Sequence, residues 1–163
     1  MLLALPSVGL HTNGYSLARK LFFEIAGYEV STQLDELEMT AGEALLQPHA
    51  SYLKQLDPLL DSGMIKGLAH ITGGGLTDNI PRILPEGCAV EIEKDSWPVL
   101  PVFKLMQKLG NVSEPEMYRT FNMGVGMVIV TSAHAVMTVS SRLGVAAYEI
   151  GRVVLGHGEV SIR

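Results

Sequence analysis

The chain reads as a layered α/β fold, with helices packed against a mixed sheet, and three stretches predict it. Residues Val125 to Val130 are continuously apolar, as in a strand covered on both faces. A helical pattern over Ala133 to Arg142 and a second strand over Ala147 to Val154 follow, completing a strand, helix, strand unit. Cys88, Val90 and Ile92 alternate with Ala89, Glu91 and Glu93, which is the period of a strand with one wet face.

Taken from the start, residues 2 to 5 are a short apolar strand that ends at Pro6, followed by a loop from Ser7 to Gly14. Tyr15, Ala18, Leu21, Phe22 and Ile25 recur at helical spacing, so residues 15 to 26 form an amphipathic helix that stops at Gly27. Thr40 and Glu43 make a capping box for a helix that ends before Pro48. The next helix starts near Ser51 and carries Tyr52, Leu53, Leu56, Leu59 and Leu60, with Pro58 expected to bend or fray it. Gly67 to Thr72 read as a strand that runs into Gly73, Gly74 and Gly75. Val102, Leu105, Met106 and Leu109 mark a helix ending at Gly110, and Ser113 with Glu116 predicts a second capping box ahead of Met117, Tyr118 and Phe121. The pattern does not yield a strand order.

The length of 163 residues fits one domain, 1–163, and 47% of the residues are hydrophobic while only 18% are charged. Soluble domains usually carry about 25% charged residues, so the surface is charge-poor. Twelve basic and 17 acidic residues leave a net charge of −5, which offers no electrostatic reason for a nucleic-acid or anionic-lipid partner. No apolar run reaches the roughly 18 to 20 residues that cross a bilayer, and the expectation is a cytoplasmic protein without a signal peptide. The single cysteine, Cys88, excludes an internal disulfide and suits a reducing compartment; on the apolar face of its strand it is expected to be inert. His49, His134 and His157 lack metal-ligand spacing and read as surface or cap residues. No metal ligand and no catalytic side chain is assigned.

Two glycine-rich turns carry the chemistry. In SVGLHTNG, Gly9 and Gly14 permit unusual backbone angles while His11, Thr12 and Asn13 put polar groups just before a helix start. Such a turn either cups an anion or is an ordinary polar turn with a helix cap. In HITGGGLTDNIPR, residues 70 to 82, three glycines follow a strand directly, and their ordering cost suggests close approach of a ligand. Leu76 and Thr77 stand where a Walker A loop needs its lysine and hydroxyl, so this turn is at most a generic anion loop.

The stretches LPSVGLHTNGYSLARK, GEALLQPHASYLK, IKGLAHITGGGLTDNIPRILPEG, GNVSEPEMYRTFNMGVGM and YEIGRVV, in this order, closely resemble the C-terminal half of the phosphoribosylformylglycinamidine cyclo-ligases, the aminoimidazole ribonucleotide synthetases of purine biosynthesis. The resemblance runs from Leu2 to Val154. It implies a layered α/β/α domain with a mixed sheet, and an ATP-dependent ring closure that converts formylglycinamidine ribonucleotide to aminoimidazole ribonucleotide, ADP and phosphate. It makes His11, Thr12, Asn13 and Gly14 candidates for a substrate and phosphate groove, with His70, Thr72, Gly73, Gly74 and Gly75 as the second loop. Asn79 and Arg82 are expected to anchor that loop or meet substrate, Arg82 having a structural ion pair as its other reading. Asn122 and Gly124 are expected as a third contribution, unless they serve only the turn into the next strand.

The resemblance also implies ATP and Mg2+ as requirements of a full-length enzyme, held mostly by an N-terminal half, with neither bound tightly by this chain alone. Members show two serines where this chain has Ser7 and Val8, so any hydroxyl contact at position 8 is lost. The expected partners are the ribonucleotide substrate, the N-terminal half and a second copy of the chain, since a face built for another half is apolar and prone to association. The alternatives are a stand-alone module that binds a nucleotide or protein, and relatives that perform selenophosphate synthesis, hydrogenase maturation or thiamine-phosphate phosphorylation.

Overall fold

The computed structural model describes residues 1–163. Its organising element is the strand nearest the start, β1 (Leu2–Pro6). Leu2 and Ala4 point into one core, Leu3 and Leu5 into the other, and none of the four is more than 2% exposed. A strand apolar on both faces belongs in the middle of a sheet, and β1 lies there. It pairs antiparallel with β6 (Val125–Thr131) on one side and β7 (Tyr148–Leu155) on the other. The ladder begins at the first residue: the Met1 ammonium donates to the Thr131 carbonyl at 2.8 Å, and the Thr131 N–H donates back to the Met1 carbonyl at 3.0 Å.

With β4 (Ile65–His70), β5 (Cys88–Ile92) and β8 (Val160–Ile162), the six-stranded order is β4-β6-β1-β7-β5-β8. Only the β5–β8 pair is parallel, which makes the sheet mixed as expected. The strand, helix, strand unit is β6, α7 (Val136–Leu143) and β7, with β1 inserted between its two strands. A separate two-stranded piece pairs β2 (Gln33–Leu34) with β3 (Met39–Thr40).

Helices cover both faces. One carries α1 (Tyr15–Arg19), α4 (Gly75–Asn79), α5 (Pro101–Gly110) and α6 (Glu114–Thr120), around a core that includes Phe22, Leu76, Phe103, Met117 and Phe121. The other carries α3 (Leu53–Leu60) and α7, which seal Leu3, Leu5 and Ile129 beneath Leu56, Leu59, Val139 and Leu143. This is the α/β/α layering the resemblance implies. No helix is long and apolar enough to cross a membrane.

Several local expectations change. The helix after Gly14 is α-helical only to Arg19 and continues as a π-helix over Lys20–Ile25, a wider winding in which the Ala26 N–H reaches the Leu21 carbonyl and both Leu21 and Phe22 are buried. The capping box opens α2 (Ala41–Leu45): Thr40 Oγ1 accepts from the Glu43 N–H at 3.2 Å, and Glu43 Oε2 accepts from the Thr40 N–H at 2.8 Å. Ser113 forms no such cap, because Glu116 turns along the helix and accepts from the Thr120 hydroxyl. The strand expected at 67–72 runs over Ile65–His70, and the Ile71 N–H still reaches the carbonyl of Gly126, opposite it on β6, before the chain turns into the glycines. Ala89, expected on a wet face, is 1% exposed beneath the Gly156 turn, and Cys88, expected on the sealed face, is only half-buried.

In α3 the buried stripe narrows to Leu56 and Leu59, while Leu53 and Leu60 are 66% and 48% exposed. Leu59→Ala is therefore expected to cost about 3 kcal/mol in urea unfolding, through lost burial and a residual cavity. Leu53→Ala is expected to stay within about 0.5 kcal/mol. Equal losses at the two positions would contradict the packing of this layer.

Candidate functional site

The loop leaving β1 is held by a buried carboxamide. Asn122 is fully buried; its Oδ1 accepts from Ser7 Oγ and from the Gly124 N–H, each at 2.9 Å, and its Nδ2 donates to the Gly9 carbonyl at 2.8 Å. The Ser7 N–H adds a bond to the Gly124 carbonyl. The amide is thus committed to protein groups, and Asn122 shapes the groove from beneath rather than lining it. Gly124 sits in the same turn, packed against the Pro98 carbonyl.

Beyond the clamp, His11 and Thr12 both adopt left-handed backbone angles, with φ of 51° and 64°. Such angles in non-glycine residues persist only where the surroundings enforce them. Here Thr12 Oγ1 and Asn13 Nδ2 both donate to the His11 carbonyl at 2.6 Å, so these side chains close the turn. Gly14 completes the turn as the left-handed cap of α1, with no side chain capping that helix.

His11 is 1% exposed, and its Nε2 accepts from the Val8 N–H at 3.2 Å and the Ala50 N–H at 3.3 Å. An imidazole that accepts at Nε2 and stays neutral carries its hydrogen on Nδ1, and Nδ1 is buried without a partner. Burial first, then the neighbouring His49 and His70, push its pKa down to about 4. Its ring stacks on His49, with centroids 4.2 Å apart and planes at 19°. The Tyr52 hydroxyl, which donates to the Pro6 carbonyl, lies where any side chain on Gly126 would collide with it.

The second loop depends on another carboxamide. Asn79, 3% exposed, donates from Nδ2 to the carbonyls of Thr72, Gly73 and Gly75, and accepts the Thr72 hydroxyl at Oδ1, 2.9 Å away. Of its two expected roles, the geometry gives it the anchoring one. The glycines differ in purpose. A Cβ on Gly75 would sit 1.9 Å from the Tyr118 carbonyl oxygen, so that glycine lets α4 lie against α6. A Cβ on Gly73 would meet only Asn13 Oδ1, at 3.7 Å. Arg82 is exposed on the short 3₁₀ turn Pro81–Ile83 and forms no ion pair, so the structural alternative for it falls away.

The two loops meet between Asn13 and Gly73, and the N–H groups of Thr12, Gly14, Gly73 and Gly74 have no protein acceptor. Alongside, at the end of β4, His70 Nε2 lies 3.1 Å from His49 Nε2. His49, exposed as its lack of metal-ligand spacing suggests, joins the two loops. It stands 38 residues beyond His11 and 21 before His70, a separation that carries no motif; only the fold of the segment after α2 brings it over His11.

A cleft of about 440 Å³ shares only Val8 and Gly9 with this groove. Asp35, Glu36 and Glu38 on its rim disfavour an anion there. No group of three or more histidine, cysteine or carboxylate side chains is arranged to hold a metal. The groove of imidazoles, glycines and backbone N–H groups does not suit Mg2+, which takes oxygen ligands and chiefly carboxylates.

The family described as AIR synthase related protein, C-terminal domain, matches residues 1–163. The phosphoribosylformylglycinamidine cyclo-ligase of Bifidobacterium longum is 55% identical over 130 residues, covering 79% of this chain and 38% of the relative. That of Alkaliphilus oremlandii is 45% identical over 163 residues, covering 98% of this chain and 48% of the relative. The chain thus spans less than half the length of these curated relatives. Among solved structures, E. coli HypE superposes with a TM-score of 0.65 at 22% identity, over 99% of this chain and 45% of HypE. A hydrogenase maturation protein HypE in complex with ATP gives 0.63 at 16% identity, over 99% and 46%. These similarities in structure are likenesses of fold.

The buried His11 makes stability depend on pH. Its folded pKa lies below the ordinary 6.5, so the unfolded chain binds the extra proton first and stability falls as pH drops from about 6.5 toward 4. Between pH 7 and 4.5 the wild type is expected to lose about 2 kcal/mol more than His11→Asn, as measured by urea unfolding. Parallel pH profiles for the two proteins would contradict a buried neutral His11.

Proposed function

The chain belongs to the AIR synthase related protein, C-terminal domain family, and on that premise we propose that it forms the C-terminal part of a phosphoribosylformylglycinamidine cyclo-ligase. The observation that carries the reading is the meeting of two loops at Asn13 and Gly73 with four backbone N–H groups lacking protein acceptors. Such donors, beside the start of a helix, bind a phosphate-bearing ligand without needing a cationic side chain. That fits a chain of net charge −5, in which Arg82 is the free guanidinium near the glycine loop. The names of relatives at 45% and 55% identity favour the cyclo-ligase over the HypE chemistry, which comes only with likenesses at 22% identity and below.

In the reaction the formyl oxygen of formylglycinamidine ribonucleotide takes the γ-phosphoryl group of ATP, and ADP departs. The amidine nitrogen then attacks the activated carbon; the C–N bond forms, the C–O bond breaks with its electrons leaving on phosphate, and the nitrogen sheds a proton. Positioning and charge stabilisation dominate phosphoryl transfer, so the task of this domain is to hold the ribonucleotide in place. ATP, which a HypE of the same fold binds, and Mg2+ fall to the remainder of the enzyme. That remainder would cover the exposed Val8 and Leu46, which lie on the two segments that touch at Gly9 and Gln47. Without that cover, the same patch would pair copies of the chain.

Calorimetric titration of this chain with the ribonucleotide and with ATP, separately, tests the reading. The ribonucleotide is expected to bind and ATP not to. Gly73→Val, which fills the gap beside Asn13, is expected to weaken ribonucleotide binding at least tenfold with little change in stability. Absence of ribonucleotide binding, or affinity unaltered by Gly73→Val, would contradict it.

A further inference from the structure

Three imidazoles from three separate segments converge beside the groove. His11 comes from the loop after β1, His49 from the segment between α2 and α3, and His70 from the end of β4. His11 cannot turn, because two backbone N–H groups hold its Nε2. His49 stacks on that fixed ring and directs its own Nε2 at His70 Nε2, 3.1 Å away, with ring centroids 5.2 Å apart. A nitrogen pair at this distance shares one hydrogen, so one ring donates and the other accepts. No carboxylate oxygen lies within 4 Å of a nitrogen of any of the three rings, and the Tyr52 ring is 6.3 Å from that of His11. The arrangement lacks the acidic partner that ordinarily orients a reacting histidine; the His49 imidazole stands in that place.

We propose that His49 is a positioning residue: by accepting the His70 Nε2–H and stacking on His11, it locks His70 in the tautomer whose bare Nδ1 accepts the proton released on ring closure. This rests on the cyclo-ligase reading for the source of the proton. The transfer balances simply. The N–H electrons stay on the ring nitrogen of the product, the proton passes to His70 Nδ1, and the resulting imidazolium gives its Nε2–H to His49 in a charge-assisted bond. A second proton on His49 would place two like charges a few ångströms apart, so the pair holds one proton at a time. Burial first and His49 second keep His70 below the ordinary imidazole range, which leaves it uncharged and ready to accept near neutrality.

Nitrogen-detected NMR of the histidine-labelled chain reads the tautomer directly. Wild type is expected to show a protonated Nε2 and a bare Nδ1 on His70, titrating below 6.5. In His49→Ala, His70 should populate both tautomers; His49→Gln, which keeps an acceptor, should restore the single tautomer. An unchanged His70 in His49→Ala would overturn the proposal. In the assembled enzyme, His49→Ala is expected to lower kcat about 10- to 100-fold and to move the acidic limb of the pH profile, with KM for the ribonucleotide and ATP within about twofold. A shifted tautomer with unchanged kcat and pH limb would also overturn it. A wild-type assembly inactive in ring closure would instead sink the cyclo-ligase reading, while the NMR comparison still decides the coupling of His49 to His70.

Discussion

The groove side of the domain depends on one fully buried carboxamide. Asn122 reaches from the entry of β6 to Ser7 and Gly9, more than a hundred residues earlier, and fixes how the chain leaves the central strand. A buried amide left unpaired costs about 1–3 kcal/mol for each unsatisfied group, so the turn and the clamp form together or not at all. Once Gly9 is held, His11 and Thr12 are forced into left-handed angles, His11 is driven inward, and Asn13 is carried up to Gly73. Asn79 performs the same service on the facing loop through four hydrogen bonds. Two amides thus convert glycine-rich segments, which alone would be floppy, into a preorganised pair of walls.

That dependence explains what was legible in the sequence and what was not. The continuous apolar runs at residues 2–5 and 125–130 announced strands buried on both faces, because burial on two sides leaves no room for polar alternation. The parallel β8 escaped notice: Val160 to Ile162 is too short to establish a period, and its partnership with β5 is set by tertiary packing. The π-helical turn after Arg19 was hidden for a related reason, since α and π windings draw on the same apolar residues.

At the candidate site, residue type pointed to segments that the fold brings together and left the roles of single residues open. Asn79 and Asn122 stood out as polar groups beside glycines, and the fold spends both on backbone carbonyls and N–H groups. The triple glycine read as one feature, yet Gly75 serves contact with α6 while Gly73 alone borders open space next to Asn13. His49 carried no signal. Its place over His11 follows from where α2 ends and Ala50 docks its N–H on the imidazole, which no local pattern encodes. In the same region Val8 and Leu46 are exposed on touching segments.

The central claim is that the phosphate of a ribonucleotide is held by backbone N–H groups where the His11–Gly14 turn meets Gly73 and Gly74. A crystal structure of this chain soaked with formylglycinamidine ribonucleotide tests it most directly. The account places the phosphate within hydrogen-bond distance of the N–H groups of Thr12 or Gly14 and of Gly73 or Gly74, with His70 at the edge of the ligand. Ligand density in the acidic cleft of Asp35, Glu36 and Glu38, with the loop junction empty, would contradict it.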